Sequence, residues 1–154
     1  MGIHEEIKQK KFRSPQQEMF VNIVYTANWL DGEMRKLFKP FGITQQQYNV
    51  LRILRGSHPE PLSAMNIKSR MIDRSPDLTR LIDRLLEKGL VNRRTCPDNR
   101  RQVEIGIEEK GIKLIEEIDP ALISTMSAFG VVDDDEALHL SRTLDKLRDR
   151  YRAL

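Results

Sequence analysis

The segment from Ser63 to Ile107 runs through helical, helical and alternating patterns in turn, and that order constrains the fold more than any other feature of the chain. A serine-capped stretch comes first, with Ala64, Ile67 and Met71 on one helical face. A second helical pattern covers 76–88. Leu78, Leu81, Ile82, Leu85 and Leu86 fill one side, while Pro76, Arg80, Asp83 and Glu87 point the other way, flanked by Asp77, Thr79 and Arg84. Ser75-Pro76 suits its start and Gly89 its end, because proline fits a first turn and glycine the left-handed cap. Two strand patterns, 90–95 and 102–107, flank the turn Cys96-Pro97-Asp98-Asn99-Arg100-Arg101. Strict alternation predicts Val103, Ile105 and Ile107 inward, with Glu104 and Gly106 outward.

Charge is concentrated in the same region. Between Lys68 and Arg101 there are ten basic and five acidic residues, net +5, in a chain whose total is +3. A local positive field on a near-neutral body indicates a polyanionic partner; the competing interpretation is a solvated charged face. Arg80 stands near the N-terminal end of the 76–88 helix, where a side chain can bridge the O6 and N7 atoms of guanine. Taken alone, the helix is equally an ordinary amphipathic one. The hairpin shifts the balance, since Arg93, Arg94, Arg100 and Arg101 crowd like charges onto one narrow ribbon. A polyanion between them relieves that repulsion. The expected placement is Arg101 in a minor groove and Arg100 on phosphate, against the alternative of a solvated loop with ion pairs to Asp98 and Glu104.

The flanks are helical. Residues 1–13 are polar and lysine-rich and are expected to form a loose arm. Ser14, with Gln17 completing a capping box, starts a helix that runs to about Phe38, before Pro40 and Gly42. Thr44 and Gln47 form a second capping box, and Tyr48, Leu51 and Leu54 follow at helical spacing. His58-Pro59-Glu60-Pro61 is a rigid loop. A helical run over 109–129 carries Pro120, which predicts a kink or break. Asp133 with Glu136 starts a last helix with a stripe of Leu140, Leu144, Leu147 and Tyr151. The first and last helices present apolar faces that one small core cannot cover, so a homodimer is expected.

The text SPDLTRLIDRLLEKGLVNRRTCPDNRRQVEIGIEEKG resembles the recognition helix and wing of MarR-type regulators, and GITQQQYNVLRIL resembles an upstream helix of that family. The resemblance covers about residues 15–150 in element order. It implies a dimeric winged helix-turn-helix transcription factor, usually a repressor released by small molecules. Position by position, Ser75, Asp77, Thr79 and Arg80 match the base-facing start of the recognition helix, and Arg101 the arginine of the wing's Asp-x-Arg motif. The chain departs from the pattern at Asn99, where that motif is acidic, and at Glu108, where threonine is frequent. Effectors in the family sit between the dimerisation helices and the DNA-binding lobe. Tyr25, Trp29 and Tyr48 are the candidate effector contacts, or else core and dimer contacts.

The expected fold is mainly α with a small β-wing: a winged helix-turn-helix core plus N- and C-terminal dimerisation helices. A single domain is expected over 1–154, with 14–40 and 109–154 as dimerisation helices and 44–107 as the DNA-binding lobe. The DNA-binding residues are Ser75, Pro76, Asp77, Thr79, Arg80, Arg84, Arg100 and Arg101, and the partner is a pseudo-palindromic duplex operator.

Other functions lack their signatures. Cys96 is the single cysteine, so no internal disulfide forms; it is a redox candidate beside arginines or a tolerated surface residue. His4, His58, His139 and Cys96 lack metal-ligand spacing, and there is no phosphate-binding glycine loop or nucleophile elbow. No catalytic residue, metal or cofactor is expected. No stretch approaches the roughly 18 consecutive apolar residues of a membrane span, and the N-terminus lacks a secretory apolar run, so a cytoplasmic protein is expected. The competing class is a winged-helix protein-interaction adaptor without specific DNA binding.

Overall fold

The computed structural model describes residues 1–74, 77–95 and 103–152, apart from the side chain of Tyr151. The described chain forms two compact units, Met1–Ile118 and Asp119–Leu154.

The first unit opens with a short helix α1 (Ile3–Glu6) and a long helix α2 (Pro15–Phe38). Ser14 Oγ caps α2 by accepting from the Gln17 N–H at 3.2 Å. The second half of the expected box differs, because Gln17 Oε1 accepts from the N–H of Arg13 at 2.7 Å. The expectation of a loose arm over 1–13 is corrected. Ile3 and Phe12 are buried, His4 Nε2 lies 3.1 Å from Glu18 Oε1, and Tyr25 Oη donates to Glu6 Oε2 at 2.6 Å. Two apolar side chains in a polar segment suffice to seat it on α2. A single 3-10 turn (Lys39–Phe41) follows and stops at Gly42, whose φ of 67° requires glycine.

Helix α3 (Gln45–Ser57) begins at the predicted capping box. Thr44 Oγ1 accepts from the Gln47 N–H at 3.1 Å, and Gln47 Oε1 accepts from the Thr44 N–H at 3.0 Å. Tyr48, Val50, Leu51 and Leu54 are buried along it. A two-residue strand β1 (Leu62–Ser63), absent from the sequence expectation, precedes α4 (Ala64–Arg70). Ile67 and Met71 are buried as expected, but Ala64 is exposed, because the helix has only just begun there and its first turn faces outward.

Helix α5 spans Leu78–Glu87, shorter than the expected 76–88, because Asp77 is its N-cap: Asp77 Oδ1 accepts from the Arg80 N–H at 3.3 Å. Leu78, Ile82 and Leu85 are buried, and Leu81 and Leu86 half-buried. The helix ends as predicted at Gly89, φ 68°. Gly89 N–H donates to Leu86 O at 2.9 Å and Leu90 N–H to Leu85 O at 3.0 Å, the paired bonds of a Schellman cap.

Strands β2 (Val91–Thr95) and β3 (Val103–Ile107) form an antiparallel pair, and β1 adds to the far edge of β3 to give the order β1-β3-β2. Register sets Val91 opposite Ile107, Arg93 opposite Ile105, and Leu62 opposite Ile105. Ile105 and Ile107 are buried as predicted, whereas Val103 is exposed and Gly106 buried. Val103 pairs with Thr95 beyond the reach of the core. A Cβ on Gly106 would lie 3.0 Å from Asn92 Oδ1, so its other face is occupied too.

Of the kink or break expected at Pro120, no break occurs: helix α6 (Glu109–Ser127) continues through it, and the boundary between the two units falls beside that proline. Gly111 in its first turn permits close approach. A Cβ there would overlap the Leu90 carbonyl and come within 2.9 Å of Ile107 Cγ1. Ile115 and Ile118 are fully buried in the first unit, in a core shared with Leu51, Leu54, Ile67 and Leu85.

The second unit holds the end of α6, a 3-10 turn (Ala128–Val131) and α7 (Asp134–Arg152). Asp133 and Glu136 make the predicted reciprocal cap: the Glu136 N–H donates to Asp133 Oδ1 at 2.9 Å and the Asp133 N–H to Glu136 Oε2 at 3.3 Å. Among the described residues, no helix is long and apolar enough to cross a membrane.

Candidate nucleic-acid interface

Helices α4 and α5 and the strand β2 position the basic residues. Ser63 Oγ caps α4 by accepting from the Asn66 N–H at 3.2 Å. The turn after α4 is tied to α3, since the Ile72 N–H donates to Asn49 Oδ1 at 2.9 Å. Arg74 Nη2 donates to the Ser69 carbonyl at 3.1 Å, closing the C-terminal end of α4. These bonds fix the entry of α5, whose apolar face is anchored in the core.

The opposite face of α5 is open. Thr79, Arg80 and Arg84 are exposed, and Asp77 is exposed at the cap. Their arrangement follows from the helical period: leucines and isoleucine occupy the inner side, so the residues between them must face out. The Asp77 carboxylate accepts from the backbone N–H of Arg80, and the Arg80 side chain is exposed. A cleft of ≈ 540 Å³ lies along this face, lined by Lys68, Ser69, Arg74, Asp77 and Thr79 with Ala64, Met65 and Leu78. Lys68, Ser69 and Arg74 thus join the candidate surface. Sequence reasoning counted the two cations only in a charge total; their signal was proximity across the turn.

The wing arginines divide. Arg93 Nη2 donates to Asp83 Oδ1 at 2.8 Å, so Arg93 faces α5 rather than the ribbon tip. Arg94 Nε donates to Asn92 Oδ1 at 3.1 Å, and Asn92 Nδ2 donates to Glu108 Oε1 at 2.5 Å. Arg94 itself is exposed. Ser75, Pro76, Cys96, Asn99, Arg100 and Arg101 lie outside the described residues.

The aromatic trio is split. Tyr48 is buried and packs on Phe38, ring centroids 4.7 Å apart. Tyr25 and Trp29 are exposed on α2. The hydrogen bond from Tyr25 to Glu6 holds its phenol neutral and raises its pKa, with desolvation and the Glu6 charge adding to the effect. Among the described residues no group of three or more His, Cys, Asp or Glu side chains is gathered to hold a metal ion.

A model of the MarR family matches residues 43–103, the span from the start of α3 to the start of β3. The crystal structure of a MarR transcription factor from Planctomyces limnophilus is 35% identical, covering 88% of this chain and 98% of that one, with a TM-score of 0.67. Sco5413, a MarR family transcriptional regulator from Streptomyces coelicolor, is 26% identical over 91% of this chain and 97% of its own, with a TM-score of 0.75. The S. aureus MepR–DNA complex shares the fold at 18% identity, covering 90% of this chain and 99% of that one, with a TM-score of 0.77. With its helix-turn-helix, three-stranded wing sheet and long flanking helices, the chain belongs to the MarR family of winged-helix transcriptional regulators.

Proposed function

We propose that this protein is a homodimeric, sequence-specific regulator that binds double-stranded DNA, a repressor relieved by a small-molecule effector. The observation that carries the reading is the first turn of α5: its inner face is buried while Thr79 and Arg80 stand exposed at the open end, beside the basic cleft that runs to α4. Such a helix end suits a major groove, with Arg80 reading a guanine edge and Lys68, Arg74 and Arg84 meeting phosphate. Ser75, Pro76, Arg100 and Arg101 lie outside the described residues and join the proposed DNA contacts on the sequence reading alone. That MepR is seen bound to DNA supports this mode for a chain of the same fold.

The dimer is supported by uncovered apolar surface. Phe20, Val24 and Trp29 on α2 are 62%, 45% and 52% exposed, and in the second unit Ile123, Met126 and Leu140 are exposed as well. Apolar area on this scale marks an association surface. Tyr25 and Trp29 offer the open aromatic surface for an effector; Tyr48 is committed to the core.

Selection of bound fragments from host genomic DNA tests the reading. It is expected to return pseudo-palindromes with half-site centres about 10 bp apart. Fragments without a shared motif, recovered by a protein that sediments as a monomer, would overturn it.

A further inference from the structure

We infer that Arg94 is a phosphate-contacting residue of the wing, and that Asn92 and Glu108 are the positioning residues that hold its guanidinium for that contact. The assignment rests on the DNA-binding reading and extends it to residues that neither α5 nor the wing turn supplies. Strand pairing sets the arrangement. Asn92 and Arg94 are two apart on β2, so they share the face opposite Arg93, and they stand across from Gly106 and Glu104 of β3. Arg93 pairs its charge with Asp83 of α5. Arg94 has a carboxylate directly opposite, yet its Nε donates along its own strand to Asn92 Oδ1 at 3.1 Å, and it makes no ion pair among the described residues.

The geometry is fixed from the far end. Glu108 is anchored through its main chain: its N–H donates to Leu90 O at 3.0 Å, and its carbonyl accepts from the Ile112 N–H at 3.0 Å. Its Oε1 accepts from Asn92 Nδ2 at 2.5 Å. A carboxylate only accepts, so it takes the NH2 end of the amide and turns the amide oxygen to Arg94. Gly106 makes room for this, since a Cβ there would lie 3.0 Å from Asn92 Oδ1. Asn92 and Glu108 are half-buried and Arg94 is exposed, so the relay runs from the junction of β3 and α6 out to solvent. With Nε engaged, the remaining N–H groups of Arg94 meet no acceptor among the described residues. A guanidinium steadied at its stem, with its outer edge and its charge unmatched, is set for a phosphate oxygen, where charge-assisted bonds are strong.

Affinity for a random-sequence duplex is measured by fluorescence anisotropy across a salt series. The full chain is compared with Arg94→Ala, Asn92→Ala, Glu108→Gln and the two double variants that add Arg94→Ala, each checked for folding by denaturation. Arg94→Ala is expected to bind several-fold more weakly and to flatten the logarithmic salt slope by about one unit per arginine removed. Asn92→Ala is expected to weaken binding as well, and to cost nothing further once Arg94 is alanine. Glu108→Gln separates positioning from bulk charge. It deletes a negative charge beside the DNA, which on charge alone tightens binding, and it keeps the side chain's length. As the anchor of the relay it is expected to weaken binding instead, and only while Arg94 is present. Unchanged affinity and slope for Arg94→Ala, with the parent still binding, would overturn the phosphate contact alone. Tighter binding by Glu108→Gln, or an Asn92→Ala loss that persists without Arg94, would overturn the positioning roles. A parent that ignores duplex DNA would overturn the DNA-binding reading and this assignment with it.

Discussion

Arg93 and Asp83 join the wing to the helix that precedes it: the guanidinium of the first wing strand meets the α5 carboxylate at 2.8 Å. The two residues are ten positions apart on different elements, and the bond ties β2 to α5. Both arginines are exposed, and each is engaged: Arg93 with Asp83 across the elements, Arg94 with Asn92 within its own strand.

Both partners of this pair are roughly half exposed, so it is a modest stabiliser. A double-mutant cycle with Asp83→Ala and Arg93→Ala, read by chemical denaturation, is expected to give a coupling of about 0.2–1 kcal/mol. A coupling indistinguishable from zero would show that the pair does not hold the wing.

Asp77 combines a structural and an electrostatic role that two substitutions separate. Asp77→Ala removes the cap of α5 and is expected to cost about 0.5–2 kcal/mol in denaturation. Asp77→Asn keeps an acceptor for the Arg80 N–H while deleting a negative charge at the proposed DNA surface. It is expected to retain near-native stability and bind duplex DNA more tightly than the parent. Equal losses of stability for the two variants would remove the capping role.

The glycines make opposite predictions. Gly111→Ala would press a methyl into the Leu90 carbonyl and Ile107, and is expected to destabilise by about 1–3 kcal/mol. Gly56→Ala in α3 meets open space and is expected to stabilise by about 0.5–1 kcal/mol. Denaturation midpoints of both variants check the close approach of α6 to the sheet; a neutral Gly111→Ala would contradict it.

The arm over residues 1–13 has a spectroscopic marker. Tyr25 holds a raised pKa while hydrogen-bonded to Glu6, so the bond's contribution is complete below the ordinary value of 10.0 and is lost as pH climbs through the raised one. Phenolate absorbance is expected to show a component titrating above pH 10.0 that disappears in Tyr25→Phe and moves back toward the ordinary value in Glu6→Gln. A titration unchanged by Glu6→Gln would mean that the arm does not rest on α2.

What could be read in advance was local. The Thr44/Gln47 and Asp133/Glu136 caps depend on residues three apart, and the exposure of Thr79, Arg80 and Arg84 follows from one helical period. What escaped needed a second element. Ile3 and Phe12 look like stray apolar residues until α2 supplies a surface. Strand β1 has two residues and exists through its pairing with β3. Alternation placed Val103 inward and Gly106 outward, and both differ: Val103 is exposed past the end of the core, and Gly106 is buried with Asn92 beside it. At the site, the sequence singled out Arg80, while the partner of Arg93 and the proximity of Lys68 and Arg74 to α5 emerged only from the packing of the turn.

The most direct test of the central claim is affinity for duplex DNA measured across a salt series, for an enriched genomic fragment and for random sequence, with the parent protein and Arg80→Ala. The account predicts steep salt dependence on both duplexes and tighter binding of the genomic fragment by the parent. Arg80→Ala is expected to lose about 1–3 kcal/mol of that preference while keeping most of its random-sequence affinity. Equal affinity of the parent for both duplexes, or a preference untouched by Arg80→Ala, would contradict the assignment of α5 as the helix that reads DNA.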